Sequence, residues 1–159
     1  MCVDDVLRGD PIAELVLSVQ LKQEILAHLD AARPNEGVGL LAVAREEDAL
    51  GRVLATAFFP GTNIDASPTH FTMAPEEVFR AVRVMEARAW RLGAIVHSHV
   101  LSPAMPSKTD LREAFYLDAV LMIASFADVL PDLRAWRIVE GDEERKSLPI
   151  PVTIVRSFD

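Results

Sequence analysis

The sequence predicts an α+β domain, a mixed β-sheet with helices packed on it. Two observations carry that prediction. Segments with helical apolar spacing are interleaved with apolar runs of strand length, without the strict strand–helix–strand alternation of a parallel sheet. The chain has 159 residues, 50% apolar and 25% charged, enough for one sizeable core and outside the range of disordered chains. No repeat, low-complexity tract or Gly/Ser linker divides it, so one domain over 1–159 is expected.

The elements follow in order. Met1 to Asp10 carries three aspartates and no apolar core, so it is no secretory signal and reads as a mobile arm. Val19–Ala32 has helical spacing, with Leu21, Ile25, Leu26 and Leu29 on one face, and Arg33-Pro34-Asn35 ends it. Val38–Ala44 and Gly51–Phe59 are strand-length runs joined by an acidic turn over Arg45–Asp48. Pro60–Pro68 has loop composition, and Phe71–Met73 reads as a short strand. Ala74-Pro75-Glu76-Glu77 opens a helix, with Pro in the first turn and acids at the positive dipole end. Val78, Val82, Met85 and Ala89 extend its stripe towards Leu92, with Gly93 as C-cap. Ala94–His99 is a strand, Leu101–Pro106 a loop, and Ser107 starts a helix to about Tyr116. Ala119–Phe126, Leu133–Val139 and Pro151–Val155 read as strands, and Glu140–Lys146 as a solvated turn.

Charge narrows the partners. Sixteen Lys and Arg against 24 Asp and Glu give a net charge of −8, which opposes non-specific nucleic-acid binding and anionic membranes. The most apolar stretch, Leu117–Leu130, is broken by Asp118 and Asp128 and falls short of the about 20 residues a bilayer needs. Cys2 is the single cysteine, so no intrachain disulfide forms, which suits a cytoplasmic location.

The chemistry concentrates in His97-Ser98-His99, followed after seven residues by Ser107-Lys108-Thr109-Asp110. Residues i and i+2 of a strand point to one side, so His97 and His99 can present their imidazoles together. A Pro-containing loop then lets Asp110 return. Two imidazole nitrogens and one carboxylate oxygen make an open zinc set with a position left for water, whereas a closed structural site wants four ligands. The plain alternative is a capping box, in which Ser107 caps a helix and Asp110 reaches back. The two readings are compatible. At this chain's residue frequencies, a chance match to the whole pattern has a probability of roughly three in ten thousand.

With Glu36 upstream in Pro34-Asn35-Glu36-Gly37-Val38, these residues resemble the signature of the JAMM metalloproteases, or MPN-plus domains: a glutamate, then H-x-H, seven residues, and S-x-x-D. The resemblance implies a three-layer fold like that of cytidine deaminases. It implies that His97, His99 and Asp110 bind one catalytic zinc, that Glu36 is the general base and proton carrier, and that Ser107 donates to the oxyanion. It implies a zinc-dependent hydrolase, a peptidase or isopeptidase acting at the C-terminal tail of a ubiquitin-like or sulfur-carrier protein. Val100 stands where the family commonly has Pro, and an altered loop path is expected there. The lack of large insertions points to recognition of an extended tail, and a homodimer is compatible with this size. The competing reading is a non-catalytic scaffold of the same fold; such members have usually lost ligands, and this chain keeps them all. A zinc deaminase is set aside, because its P-C-x-x-C segment needs cysteines this chain lacks.

The remaining polar candidates have ordinary expectations. His28 is expected in solvent and His70 on a surface loop near the substrate side. Ser98 should point away from the metal side. Ser102 lies in the loop before Ser107 and is not the oxyanion donor. Asn63 fits turn chemistry or an orienting role in the site loop. Cys2 would become a further zinc ligand only if the N-terminal arm folded across the site. Trp90 and Trp136 are expected in the core or at its edge.

Overall fold

The computed structural model describes residues 2–46 and 49–156. In chain order the elements are α1 (Val3–Leu7), β1 (Glu14–Ser18), α2 (Val19–Ala31), β2 (Val38–Ala44), β3 (Arg52–Gly61), α3 (Pro75–Ala87), β4 (Trp90–His99), α4 (Lys108–Glu113), β5 (Val120–Ser125), β6 (Asp132–Val139), β7 (Lys146–Ile150) and β8 (Val152–Val155). The strands form one mixed sheet in the order β7-β6-β5-β4-β2-β3-β1-β8. β4 lies at its centre, antiparallel to β2 and parallel to β5.

Strand alternation, interrupted by a bulge at Gly93 opposite Leu41 and Ala42, sorts the core into two faces. One face carries Leu41, Val43, Ala94, Val96, Met122 and Ala124, covered by Ile25 and Leu29 of α2. The other carries Val38, Leu40 and Leu92 under Val82 and Met85 of α3, and continues to Leu121 and Ile123 near α4. Helices thus lie on both faces, as the expected three-layer α+β class requires. The histidine side chains emerge on the face of α3 and α4.

Several sequence expectations are corrected. The N-terminal arm is not loose: α1 buries Val6 completely against the α3 side of the sheet, and β1 adds Leu15 and Leu17 to the main core. Each of these elements has only five residues, too few for periodicity to show. The helix from Pro75 stops at Ala87, and Ala89 takes the left-handed turn (φ 57°) that was assigned to Gly93. Gly93 lies inside β4, where an added Cβ would fall 2.2 Å from a methyl of Val43. Close approach of neighbouring strands, not capping, requires glycine there. Phe71–Met73 forms only a single bridge, Met73 to Asn63. The helix from Ser107 ends at Glu113, and the solvated turn gives way at Lys146 to β7. Of the turn expected over Arg45–Asp48, Glu47 and Asp48 lie outside the described residues.

Candidate active site

The site begins at the C-terminal end of β4. In register, His97 lies between Val38 of β2 and Ile123 of β5, and His99 beside Ser125. His97 is wholly buried and His99 nearly so. His99 donates from Nδ1 to the Pro103 carbonyl at 2.8 Å, which turns Nε2 towards His97 and Asp110. Phe71 stacks on the His97 ring, centroids 4.5 Å apart and planes at 25°. Burial holds His97 below the ordinary histidine range. Burial also opposes charge on His99, but the Asp110 carboxylate and the Pro103 carbonyl outweigh it and raise its value.

Asp110 arrives through the cap of α4. The Ser107 amide donates to Asp110 Oδ2 at 2.9 Å, and the Asp110 amide donates to Ser107 Oγ at 3.0 Å. The capping box therefore exists, and the same oxygen that closes it faces the histidines. Asp110 Oδ2 lies 3.3 Å from His97 Nε2 and 3.1 Å from His99 Nε2, and the two nitrogens are 3.2 Å apart. Burial raises the Asp110 value, but the two imidazoles and the Ser107 amide hold it well below the carboxylate range.

A tetrahedral ion with ligand bonds of about 2.0–2.1 Å has edges of about 3.3 Å, so the three atoms fit one face of a zinc tetrahedron. At this spacing the three atoms share a proton in the metal-free protein, and two imidazole nitrogens with one carboxylate oxygen are a zinc-type donor set. The donor set therefore fits a divalent metal.

Glu36 sits in the turn between α2 and β2 and is 4% exposed. Its carboxylate and the two imidazoles fall within 4.8 Å of one another, and its Oε2 has no hydrogen-bond partner. Asp110 touches both nitrogens directly, so Glu36 is the outer carboxylate of the cluster. Burial raises its pKa to about 7, with His99 opposing and Asp110 adding to the rise. Its main chain is held on three sides: the Glu36 amide donates to the Ser67 carbonyl at 2.8 Å, Asn63 Nδ2 donates to the Glu36 carbonyl at 3.0 Å, and the Gly37 amide donates to Ser98 Oγ at 2.8 Å. Ser98 points away from the histidines, as expected, and what it does there is anchor the glutamate turn. Asn63 also donates to the His70 carbonyl and accepts from the amides of Asp65 and Thr72, so it does more than shape a turn.

Ser107 is exposed, with its hydroxyl oxygen accepting from Asp110 and its own proton free to donate. The loop from Val100 to Pro106 is pinned at both ends of its path. Ser125 Oγ donates to the Ser102 carbonyl at 2.6 Å, and Trp136 Nε1 to the Ala104 carbonyl at 2.8 Å. Trp136 is thus a core residue that also fixes the approach to Asp110, whereas Trp90 packs at the edge of the α3-side core. Beyond α4, Arg145 donates to the carbonyls of Leu111 and Ala114.

One polar residue departs from expectation. His28 is half-buried, and its Nε2 lies 3.0 Å from the Val38 carbonyl and 3.1 Å from that of Gly61. Cys2 is exposed on α1, and the following chain is bound to the opposite end of β4, where Arg91 Nη2 donates to the Asp10 carbonyl. Six strand residues, about 20 Å, separate that end from His97. Cys2 is not among the described side chains that lie close enough to hold a metal together with His97 and His99.

His70 is a clasp. Its Nδ1 lies 2.6 Å from Asp65 and its Nε2 2.8 Å from Glu113 of α4, so it ties the 61–73 loop to the helix that carries Asp110. Glu113 and Asp65 raise its pKa. A raised histidine stabilises fully below its unfolded value near 6.5 and loses that contribution as pH rises through the folded value. His70→Ala is expected to cost less than about 1 kcal/mol, because the pair is half exposed, and to cost more at pH 6 than at pH 9. Thermal unfolding of both proteins at the two pH values checks this; equal penalties would remove the charged clasp.

A three-layer α+β domain that brings two strand histidines, a helix-cap aspartate and a buried glutamate together has the framework of a JAB domain. Residues 18–139 match the prokaryotic homologs of the JAB domain, and the chain belongs to that family. The chain is 31% identical over 153 residues to the CysO-cysteine peptidase of Mycobacterium tuberculosis, covering 96% of this chain and 99% of that one. It is 34% identical over 124 residues to a protein of Thermus thermophilus named "Probable TtuB-protein conjugate cleaving protease", covering 77% and 75% respectively. The solution structure of protein DSY2949 from Desulfitobacterium hafniense superposes with a TM-score of 0.75 at 29% identity, over 91% of this chain and 95% of that one. Both curated names describe bond-cleaving proteases. No helix among the described residues is long and apolar enough to cross a membrane.

Proposed function

We propose that this protein is a zinc metallopeptidase of the JAMM type that hydrolyses the amide or isopeptide bond joining the C-terminal tail of a ubiquitin-like or sulfur-carrier protein to an amine. The observation that carries the reading is the triangle of His97 Nε2, His99 Nε2 and Asp110 Oδ2, with edges of 3.1–3.3 Å, beside the partnerless carboxylate oxygen of Glu36. The names of the relatives, which describe cleavage at CysO-cysteine and TtuB-protein conjugates, support the substrate class.

His97, His99 and Asp110 would hold the ion. A zinc ion held there would lower the pKa of water towards 7 and polarise the scissile carbonyl. The Glu36 carboxylate takes one proton from the attacking water as the oxygen bonds to the carbonyl carbon. The Ser107 hydroxyl donates to the carbonyl oxygen as negative charge develops on it. Glu36 then delivers its proton to the amine nitrogen as the C–N bond breaks. The products are a free C-terminal carboxyl and an amine, and Glu36 is regenerated.

The test is mass spectrometry of a ubiquitin-like protein joined through its C-terminus to cysteine or to a lysine side chain, incubated with the zinc-loaded protein. Cleavage that persists both under chelation and in Glu36→Gln overturns the reading. Metal binding has its own expected signature. Zinc at about 100 times its Kd adds about 2.7 kcal/mol of stability, a rise in Tm of about 5–10 °C. In His97→Ala that rise is lost, and differential scanning calorimetry reads both values.

A further inference from the structure

A general base must lie within hydrogen-bond reach of the water it deprotonates. Glu36 belongs to no helix or strand, and its buried Oε2 has no partner, so no neighbour fixes the carboxylate at that oxygen. Its place is therefore set from the main chain. Both main-chain groups of Glu36 are bound to one segment, the 61–73 loop. The Glu36 amide donates to the Ser67 carbonyl at 2.8 Å, and its carbonyl accepts from Asn63 Nδ2 at 3.0 Å. The next residue, Gly37, is held separately, by Ser98 of β4.

Asn63 is the hub of that loop. Its amide oxygen accepts from the amides of Asp65 and Thr72, each at 3.1 Å, and its Nδ2 donates to the carbonyls of Glu36 and His70, each at 3.0 Å. Two donors and two acceptor positions are the capacity of an asparagine amide, and all four are engaged with main-chain groups. An Asx turn needs only the bond from the amide two residues on, here that of Asp65, so the bond to Glu36 is surplus to turn chemistry. Ala66 follows the turn at φ 46°, its amide 3.2 Å from the Asn63 carbonyl, and leads into the Ser67 carbonyl that takes the Glu36 amide. A non-glycine residue persists in that left-handed conformation where its surroundings over-determine it.

We propose, resting on the peptidase reading, that Asn63 is the positioning residue of the general base: its side-chain amide fixes the main chain of Glu36, and through it the reach of the carboxylate, without touching the substrate. The residue type follows from the four bonds. Asn63→Asp keeps an acceptor for the amides of residues 65 and 72 but turns a second oxygen onto two carbonyls, which repels the Glu36 turn. The bond to the His70 carbonyl offers a rival route, because the His70 ring reaches Glu113 of α4, the helix that carries Asp110. The geometry favours Glu36. Asn63 is bonded to Glu36 directly, whereas His70 and Glu113 stand between it and α4, and Asp110 is already fixed by its own cap.

The test places Asn63→Ala and Asn63→Asp in the parent and in Glu36→Gln, and follows hydrolysis of a ubiquitin-like protein joined through its C-terminus to cysteine by the zinc-loaded proteins. A base displaced by about 1 Å loses up to about 10²-fold, so in the parent both substitutions should lower kcat by about tenfold to 10²-fold, with KM within about threefold and the zinc content unchanged. In Glu36→Gln no base remains to be positioned, and the same substitutions should lower the residual rate by less than about twofold. Equal fold-losses in the two backgrounds, or zinc lost in step with the rate, overturn the proposal. Asn63→Asp, which keeps the two bonds that shape the loop, carries the test if Asn63→Ala does not fold. A second readout needs no turnover. In the metal-free variants, hydrogen exchange of the Glu36 amide, read by NMR, should quicken at least about tenfold more than that of the β4 amides. Equal quickening throughout marks a general loss of stability and overturns the proposal. Selective quickening with no hydrolysis by the parent would leave the anchor standing and sink the peptidase reading. Hydrolysis by the parent that neither variant slows would do the reverse.

Discussion

Glu36→Gln is expected to lower hydrolysis by about 10²–10⁴ while leaving the zinc content unchanged. Gln matches Glu in shape but cannot accept a proton from water and return it to the amine. Glu36 also lies outside the triangle of His97, His99 and Asp110, so the ligand atoms are untouched by the change. A stability signature separates this loss from misfolding. Burial raises the folded pKa of Glu36 from 4.5 to about 7, so between those values the native state binds more protons than the unfolded state. Stability then falls as pH rises through that window, because an ionised carboxylate must be held in a buried position. Gln carries no such cost. The metal-free variant should exceed the metal-free parent by up to about 3 kcal/mol at pH 8 and match it at pH 4. Urea unfolding of the two proteins at both pH values reads the difference. A variant equally active, or one less stable at pH 8, contradicts the assigned role.

Ser107→Ala is expected to lower kcat by about 10²–10³ and to cost about 1 kcal/mol of stability, because one hydroxyl serves two purposes. Its oxygen accepts the Asp110 amide, while its proton is free for the developing oxyanion. Ser107→Gly separates the two. Glycine at an N-cap costs only a few tenths of a kcal/mol, yet it supplies no donor. The glycine variant should therefore recover most of the stability and none of the rate. The aim of Asp110 survives in both variants, since its Oδ2 is held by the main-chain amide of residue 107. Kinetics of the two variants beside their melting curves give the answer. If rate and stability recover together in Ser107→Gly, the hydroxyl is a cap and nothing more.

These expectations were legible to different degrees in the sequence. The pairing of His97 with His99 follows from alternation along a strand, and the placement of Asp110 follows from its spacing behind an N-cap serine. Both are local rules, and local rules need only the neighbouring residues. The same holds for the acids at the start of α3. Short elements escaped: α1 and β1 are five residues each, and their contribution is a few side chains inserted into a core assembled elsewhere. The end of α3 was misread because Ala89 adopts a conformation that composition assigns to glycine.

The sequence by itself determined the class of fold, the net-acidic surface and the set of side chains able to hold a metal, because periodicity, charge and spacing are written along the chain. The tertiary structure alone decided how Glu36 is anchored, through Asn63 at 27 residues' remove and through the Gly37 amide on Ser98 at 61. It alone decided that His70 reaches Glu113 across 43 residues, and that a cavity remains beneath the histidines. Such contacts depend on which strands pair and in what register, and strand register is settled only when the whole sheet closes on its core.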